Sequence, residues 1–237
     1  KKEYNLKKEY NLVATTLFGL EQTLANELNI LGAENIKIGN RCVYFNGDQA
    51  LLYKSNIHLR TALKILYTLK VFKSKKETEL YQNIARIKWY NLFDTSKTFS
   101  ISSTVNSKYF THSKYVALVV KDAIVDQFKK KFNNRPSVDL KNPDFSINIH
   151  ISDNRCNLSL NSSGDSLHKR GYRSNKFRAP INEVLAAGII LLTNWSGEKK
   201  LIDPMCGSGT FLIEAALIAI NRSPNIYRKN FGFQNWK

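Results

Sequence analysis

Cysteine, histidine, acidic residues and long apolar runs are all scarce in this chain. The three cysteines, Cys42, Cys156 and Cys206, lie far apart and form no C-x-x-C pair. An odd, scattered set makes no disulfide framework and fits a reducing cytosol. The four histidines, His58, His112, His150 and His168, share no metal-ligand spacing, so no zinc site is expected. No apolar run reaches the roughly 18 residues of a membrane span, and the polar N-terminus lacks the apolar region of a signal peptide. A cytoplasmic location is therefore expected. Acids number 19 against 36 lysines and arginines, a net charge of +17 that favours a polyanionic partner. A membrane surface fits less well, because no segment pairs a cationic face with a broad apolar one.

What is present is ordinary for a folded protein. A hydrophobic share of 43% over 237 residues allows one large domain or two small ones. The chain opens with KKEYNL written twice. Two copies of a hexamer make no repeat architecture, and the first copy is assigned no function.

From Asn11 the hydrophobic periodicity is legible. Leu12 to Thr16 reads as a strand, and Gly19 to Leu31 as a helix with Leu20, Leu24, Leu28 and Leu31 on one stripe. Ile36 and Ile38 alternate, Gly39-Asn40 turns the chain, and Cys42 to Phe45 runs back. Asp48 is placed to cap a helix reaching Ile57, and Leu63 to Phe72 is extended. The order β-α-β-β-α-β is that of a ferredoxin-like unit.

A second unit begins near Glu77 with a short helix to about Ile87, followed by a strand from Thr98 to Val105. Ser113 is expected to cap a long helix whose stripe includes Val116, Val120, Ile124 and Phe128. Phe145, Ile147, Ile149 and Ile151 alternate with polar residues, and after Asp153-Asn154 so do Cys156, Leu158 and Leu160, a hairpin signal. His150 falls on the polar phase of its strand and is expected to be exposed. Ser162 to Arg178 has no periodicity and is dense in Gly, Ser and cations, so it reads as a basic inter-domain connection. Pro180 is expected to open a helix with Ile181, Leu185 and Ile189 on one face. Gly197 then breaks the chain before a short strand, Leu201-Ile202.

The stretch LIDPMCGSGTFLIEAA, residues 201–216, carries the chemistry. Asp203 ends a predicted strand, where α/β folds place ligands. Gly207 and Gly209 permit a sharp turn and a close approach to a ligand. Thr210 or Ser208 could cap the following helix, whose N-terminus favours an anionic group. A phosphate loop would need Lys-Ser or Lys-Thr after its glycines, and a dinucleotide fingerprint a glycine in place of Leu212. S-adenosylmethionine fits better, with a carboxylate for the helix and cationic groups for Asp203. A tight strand-to-helix turn with a capping Asp stands beside that reading. Gly207-Ser208-Gly209 is not a hydrolase elbow.

These residues resemble a known family. DPMCGSGTFLIEAA is similar to the cofactor motif of amino-group methyltransferases with an Asn-Pro-Pro-Tyr catalytic motif. GDSLHKRGYR (164–173) and APINEVLAA (179–187) resemble the segments before it in THUMP-containing 23S rRNA (guanine-N2) methyltransferases. Residues 76–162 look like the THUMP domain of that family.

The resemblance implies a cytoplasmic, S-adenosyl-L-methionine-dependent enzyme that methylates a guanine of 23S rRNA. The fold class it implies is an α+β N-terminal half (ferredoxin-like at 11–75, THUMP-like at 76–162) and the start of an α/β Rossmann-like methyltransferase domain. That last domain occupies 179–237, after a connection at 163–178, and is expected to be incomplete in this chain. Asp203, Met205, Cys206, Gly207, Ser208, Gly209 and Thr210 would line the cofactor, with Pro180 and Ile181 bordering it.

The catalytic motif is absent. Asn142-Pro143-Asp144 lacks the second proline and the aromatic, precedes the glycine loop, and reads as a turn. Catalytic residues are thus unassigned, and the chain as given is expected to be inactive. Lys169, Arg170, Tyr172, Arg173, Lys176 and Arg178 combine cations with an aromatic, the pattern that neutralises phosphates and stacks on unpaired bases. A solvated linker whose arginines tie two domains together is the plainer reading of the same residues. The basic runs at 70–76 and 129–135 read as exposed faces. Two other functions stay open: an adenine-N6 DNA methyltransferase, which shares the glycine loop, and a non-catalytic RNA-binding module.

Overall fold

The computed structural model describes residues 9–173 and 180–236. They resolve into two compact units, one built from residues 9–66, 165–173 and 180–231, the other from 67–164 and 232–236.

In the first unit the order is β1 (Tyr10–Thr15), α1 (Glu21–Ile30), β2 (Glu34–Gly39), β3 (Cys42–Gly47), α2 (Gln49–His58) and β4 (Lys64–Lys73), which runs on into the second unit. The second KKEYNL copy thus supplies the start of β1. The strands lie in the order β2-β3-β1-β4, with Leu12 opposite Phe45 and Ile38 opposite Val43. Leu20, Leu24 and Leu28 are buried as the stripe predicted. Asp48 caps α2 by accepting the Leu51 N–H at 2.8 Å.

The same unit contains α5 (Glu183–Leu192) and α6 (Thr210–Ala219), named in chain order after the second unit's helices. Pro180 does not open α5. Asn182 does, accepting the N–H groups of Val184 and Leu185 at 2.9 and 3.3 Å. The buried face is also not the expected one: Val184, Ala187 and Ile190 are inside, whereas Ile189 is exposed. Gly188 decides this, because a Cβ there would lie 2.4 Å from a Leu20 methyl of α1. The expected strand at Leu201-Ile202 is irregular chain. A strand exists by pairing, and none of the described strands pairs with this segment.

The second unit contains α3 (Glu77–Ala85), β5 (Thr98–Asn106), α4 (Ser113–Phe132), β6 (Ser137–Val138), β7 (Phe145–Ser152) and β8 (Arg155–Asn161). Its strands run β8-β7-β5-β6. β5 and β7 are parallel, Phe99 facing Phe145, and α4 makes the crossover between them. β7 and β8 form the expected antiparallel hairpin. Ser113 is the first helical residue rather than the cap; no side chain caps α4.

The core of this unit gathers Val116, Val120, Ile124 and Phe128 of α4 with the inward phases of β7 and β8. Phe93 sits between Phe145 and Phe128, its ring stacked on theirs at 4.9 and 5.4 Å between centroids. His150 is exposed. Asn142 belongs to a bend whose N–H groups at Lys141 and Asn142 are accepted by Asp139. Among the described residues, no helix is long and apolar enough to cross a membrane.

Candidate cofactor loop and the basic segment

The glycine motif forms a turn leading into α6. Asp203 Oδ1 accepts the Met205 N–H at 3.1 Å, and the Gly209 N–H donates to Cys206 O at 2.7 Å. Gly207 and Gly209 have φ of 52° and 72°, the left-handed region where side chains other than glycine are disfavoured. A Cβ at either would meet nothing within 4 Å among the described residues, so the turn's backbone borders open space there. Met205, at 90% exposure, and Cys206 stand out from it.

The expected caps differ. Gly209 itself occupies the N-cap of α6, and among the described residues no side chain caps the helix. The first-turn N–H groups are left for solvent or a ligand. Thr210 Oγ1 lies 3.0 Å from Ser208 Oγ and accepts from Arg173 Nη2 at 2.9 Å.

Asp203, the two glycines and the uncapped helix start thus fall on one turn. This arrangement fits a ligand with a carboxylate and hydroxyl or amino groups, as S-adenosylmethionine has. Among the described residues no group of His, Cys, Asp or Glu is arranged to hold a metal ion.

The basic segment does not present all of its cations as phosphate contacts. Arg170 is 1% exposed. Its Nη1 donates to Leu167 O at 3.0 Å and to Asn225 Oδ1 at 3.4 Å, its Nη2 donates to Arg60 O, and its Nε lies 3.5 Å from Glu214 Oε1. Buried and paired in this way, Arg170 is not presented to a phosphate. The physical reason is Glu214, whose side chain has no solvent exposure and requires a cation.

Tyr172 donates its hydroxyl to the same Glu214 Oε1 at 2.9 Å. Arg173 pairs with Glu183 Oε1 at 3.0 Å and donates to Ile181 O at 2.8 Å. Burial pushes the carboxyls of Glu183 and Glu214 upward, with Arg173 and Arg170 respectively pulling against it. Burial and Glu214 together drive the Tyr172 phenol far up. Lys169 is exposed and paired with Asp165 at 3.0 Å. Lys176 and Arg178 lie outside the described residues.

Two of the predicted cofactor residues, Ile181 and Thr210, are thereby joined through Arg173, while Pro180, which precedes Ile181 in sequence, is half-buried. Sequence reasoning missed Glu183, Glu214, Arg60 and Asn225. The signal was available for the first two: a single acid inside EVLAAGIILL and inside TFLIEAALIA has to find a partner when the helix is buried.

Comparison with known proteins agrees with this architecture. Residues 11–66 match the RlmL ferredoxin-like domain, 74–161 the THUMP domain, and 170–237 the RMKL-like methyltransferase domain. The chain thus carries, in this order, segments that match a ferredoxin-like, a THUMP and a methyltransferase domain model. It is 43% identical over 94% of its length to the Synechocystis sp. protein slr0064, which bears the name of an RNA methyltransferase, and covers 58% of that protein.

Among solved structures it resembles one from Listeria monocytogenes described as an N6-adenine-specific DNA methylase by prediction (32% identity, TM-score 0.84, 97% of this chain and 60% of the other). It also resembles SMU.472, described as a methyltransferase and solved in complex with SAH (34% identity, TM-score 0.82, 98% and 61%). The chain thus spans about three fifths of each of these proteins.

Proposed function

We propose that this protein is the RNA-binding portion and cofactor loop of an S-adenosylmethionine-dependent RNA methyltransferase acting on the exocyclic N2 of a guanine in 23S rRNA. The observation that carries the reading is the open glycine turn, with Asp203 on one side and the uncapped start of α6 on the other. The name of the Synechocystis relative supports RNA as the substrate class, and the SAH-bound neighbour supports the cofactor.

When bound, S-adenosylmethionine supplies an electrophilic methyl group on a sulfonium sulfur. Asp203 would accept hydrogen bonds from the cofactor's hydroxyl or amino groups, and the N–H groups at the start of α6 would hold its carboxylate. Positioning is the protein's main contribution to such a transfer. Binding of RNA falls to the ferredoxin-like and THUMP domains, where the lysines at 73, 75, 76, 129, 130 and 131 are exposed.

The DNA methylase description of the Listeria neighbour keeps adenine-N6 transfer as the second reading. Tritiated methyl transfer from S-adenosylmethionine to 23S rRNA and to DNA, using the longest natural form of the protein, decides among the readings. Label in a guanine of rRNA supports the proposal. Label in DNA adenine supports the second reading, and label in neither, with RNA still bound, supports a non-catalytic module.

A further inference from the structure

Four basic or aromatic side chains converge on helix α6, the helix that follows the glycine turn. At its C-terminal end Arg60, from the α2–β4 turn, donates through Nη2 to Leu217 O at 3.2 Å and to Arg222 O at 3.0 Å. In its middle, Glu214 takes Tyr172 and Arg170. At its first residue, Thr210 takes Arg173. Arg173 is the member that touches the turn, and it holds two other segments at the same time: Ile181 O just before α5, and Glu183 at the first residue of α5.

A planar guanidinium offers its donors in fixed directions. Three acceptors around one such group therefore fix the relative placement of the two helix starts. The rest of the turn has little else to hold it. Its apolar neighbours Ile202 and Met205 are 81% and 90% exposed, and among the described residues those between Asp203 and Gly209 are joined only by local turn bonds.

We infer that Arg173 is a positioning residue for the cofactor loop, acting through Thr210 and Glu183, and that the KRGYR segment serves as an internal clamp rather than as a line of phosphate contacts. The cofactor part of this statement rests on the function proposed above; the positioning part does not. Arg173 touches no cofactor atom in this account. It sets where the N–H groups of the α6 start sit, and so how well they meet an anionic group. Thr210 is the transmitting residue because its hydroxyl accepts from Arg173 while its backbone belongs to the turn.

The test is amide hydrogen exchange of this chain, read over residues 207–213, with α4 of the second unit as the internal fold control. Thr210→Val should speed exchange at 207–213 about ten-fold, the scale of one lost charge-assisted hydrogen bond, and Arg173→Ala at least as much, since it also releases Ile181 O and Glu183. Exchange in α4 should not change. The double variant should add little to Arg173→Ala at 207–213, since that variant already removes the contact to Thr210. Thr210→Ser keeps the hydroxyl and should behave as wild type.

Calorimetric titration with S-adenosylhomocysteine runs beside it, and its affinity should fall in Arg173→Ala and Thr210→Val but not in Thr210→Ser. Unchanged exchange at 207–213 in Arg173→Ala would overturn the inference, and so would a lower salt slope of RNA binding with an intact loop. Faster exchange spread evenly through α1 and α6 in both variants would reduce Arg173 to general stability, which also overturns it. A wild-type chain that binds no S-adenosylhomocysteine but shows the local exchange effect would remove the cofactor reading and leave the positioning role standing.

Discussion

Replacing Arg170 with alanine tests the buried clamp against the surface reading of the same residue. The side chains of Arg170 and Glu214 are both 0% exposed. Truncation removes the guanidinium and its donations to Leu167 O, Arg60 O and Asn225 Oδ1. It leaves the Glu214 carboxylate inside with the Tyr172 hydroxyl as its hydrogen-bond donor at 2.9 Å among the described residues, and Arg60 as the cation still acting on it. Removing one partner of a buried ion pair costs about 3–5 kcal/mol, mostly because the other charge stays buried.

With a urea dependence of about 2 kcal/mol per molar, a loss of about 4 kcal/mol moves the unfolding midpoint of the first unit down by about 2 M. Arg170→Met combined with Glu214→Leu removes both charges at similar volume and should recover most of that loss. A residue that served RNA phosphates would behave oppositely: the midpoint would stay, and the slope of log affinity against log salt would fall by about 0.9 for one contact. An Arg170→Ala midpoint within about 0.3 M of wild type refutes the buried-clamp argument.

Gly207→Val forces a β-branched residue to a φ of 52°, which costs roughly 1–2 kcal/mol and places a side chain in the open space before the turn. Together with Asp203→Ala it should abolish S-adenosylhomocysteine binding by calorimetry while the second unit melts unchanged. Phe93→Ala empties the stack between Phe145 and Phe128 and should destabilise the second unit by about 3–5 kcal/mol in urea, leaving the first unit's signals in place.

Asp144 accepts the Thr98 N–H at 2.9 Å, which holds its carboxyl below the ordinary range, with Lys97 adding to the effect. A depressed folded-state value means stability that is present above the unfolded value, about 3.9, and is lost as pH falls through the folded one. Asp144→Asn should therefore flatten the acid side of the second unit's stability profile as pH falls below the unfolded value. An identical acid limb in the variant would contradict the assignment.

Local pattern alone determined a good deal of this protein. The stripe Leu20-Leu24-Leu28, the α4 stripe and the alternation along β7 and β8 each state a period that only one kind of element satisfies, and the buried residues follow them. Asp48 as a cap and the glycines at 207 and 209 as a left-handed turn were legible because their chemistry acts within a few residues.

Only the tertiary structure decided what depends on distant partners. Leu201-Ile202 has strand composition but pairs with none of the described strands, and pairing is what makes a strand. The inward face of α5 was set by the close approach of Gly188 to Leu20, which lies far away in sequence. KRGYR looks like a basic surface when read as a string. Glu183 and Glu214, on two apolar helices, take Arg173 and Arg170 inside, because a buried carboxylate without a cation costs more than an arginine drawn from water to meet it.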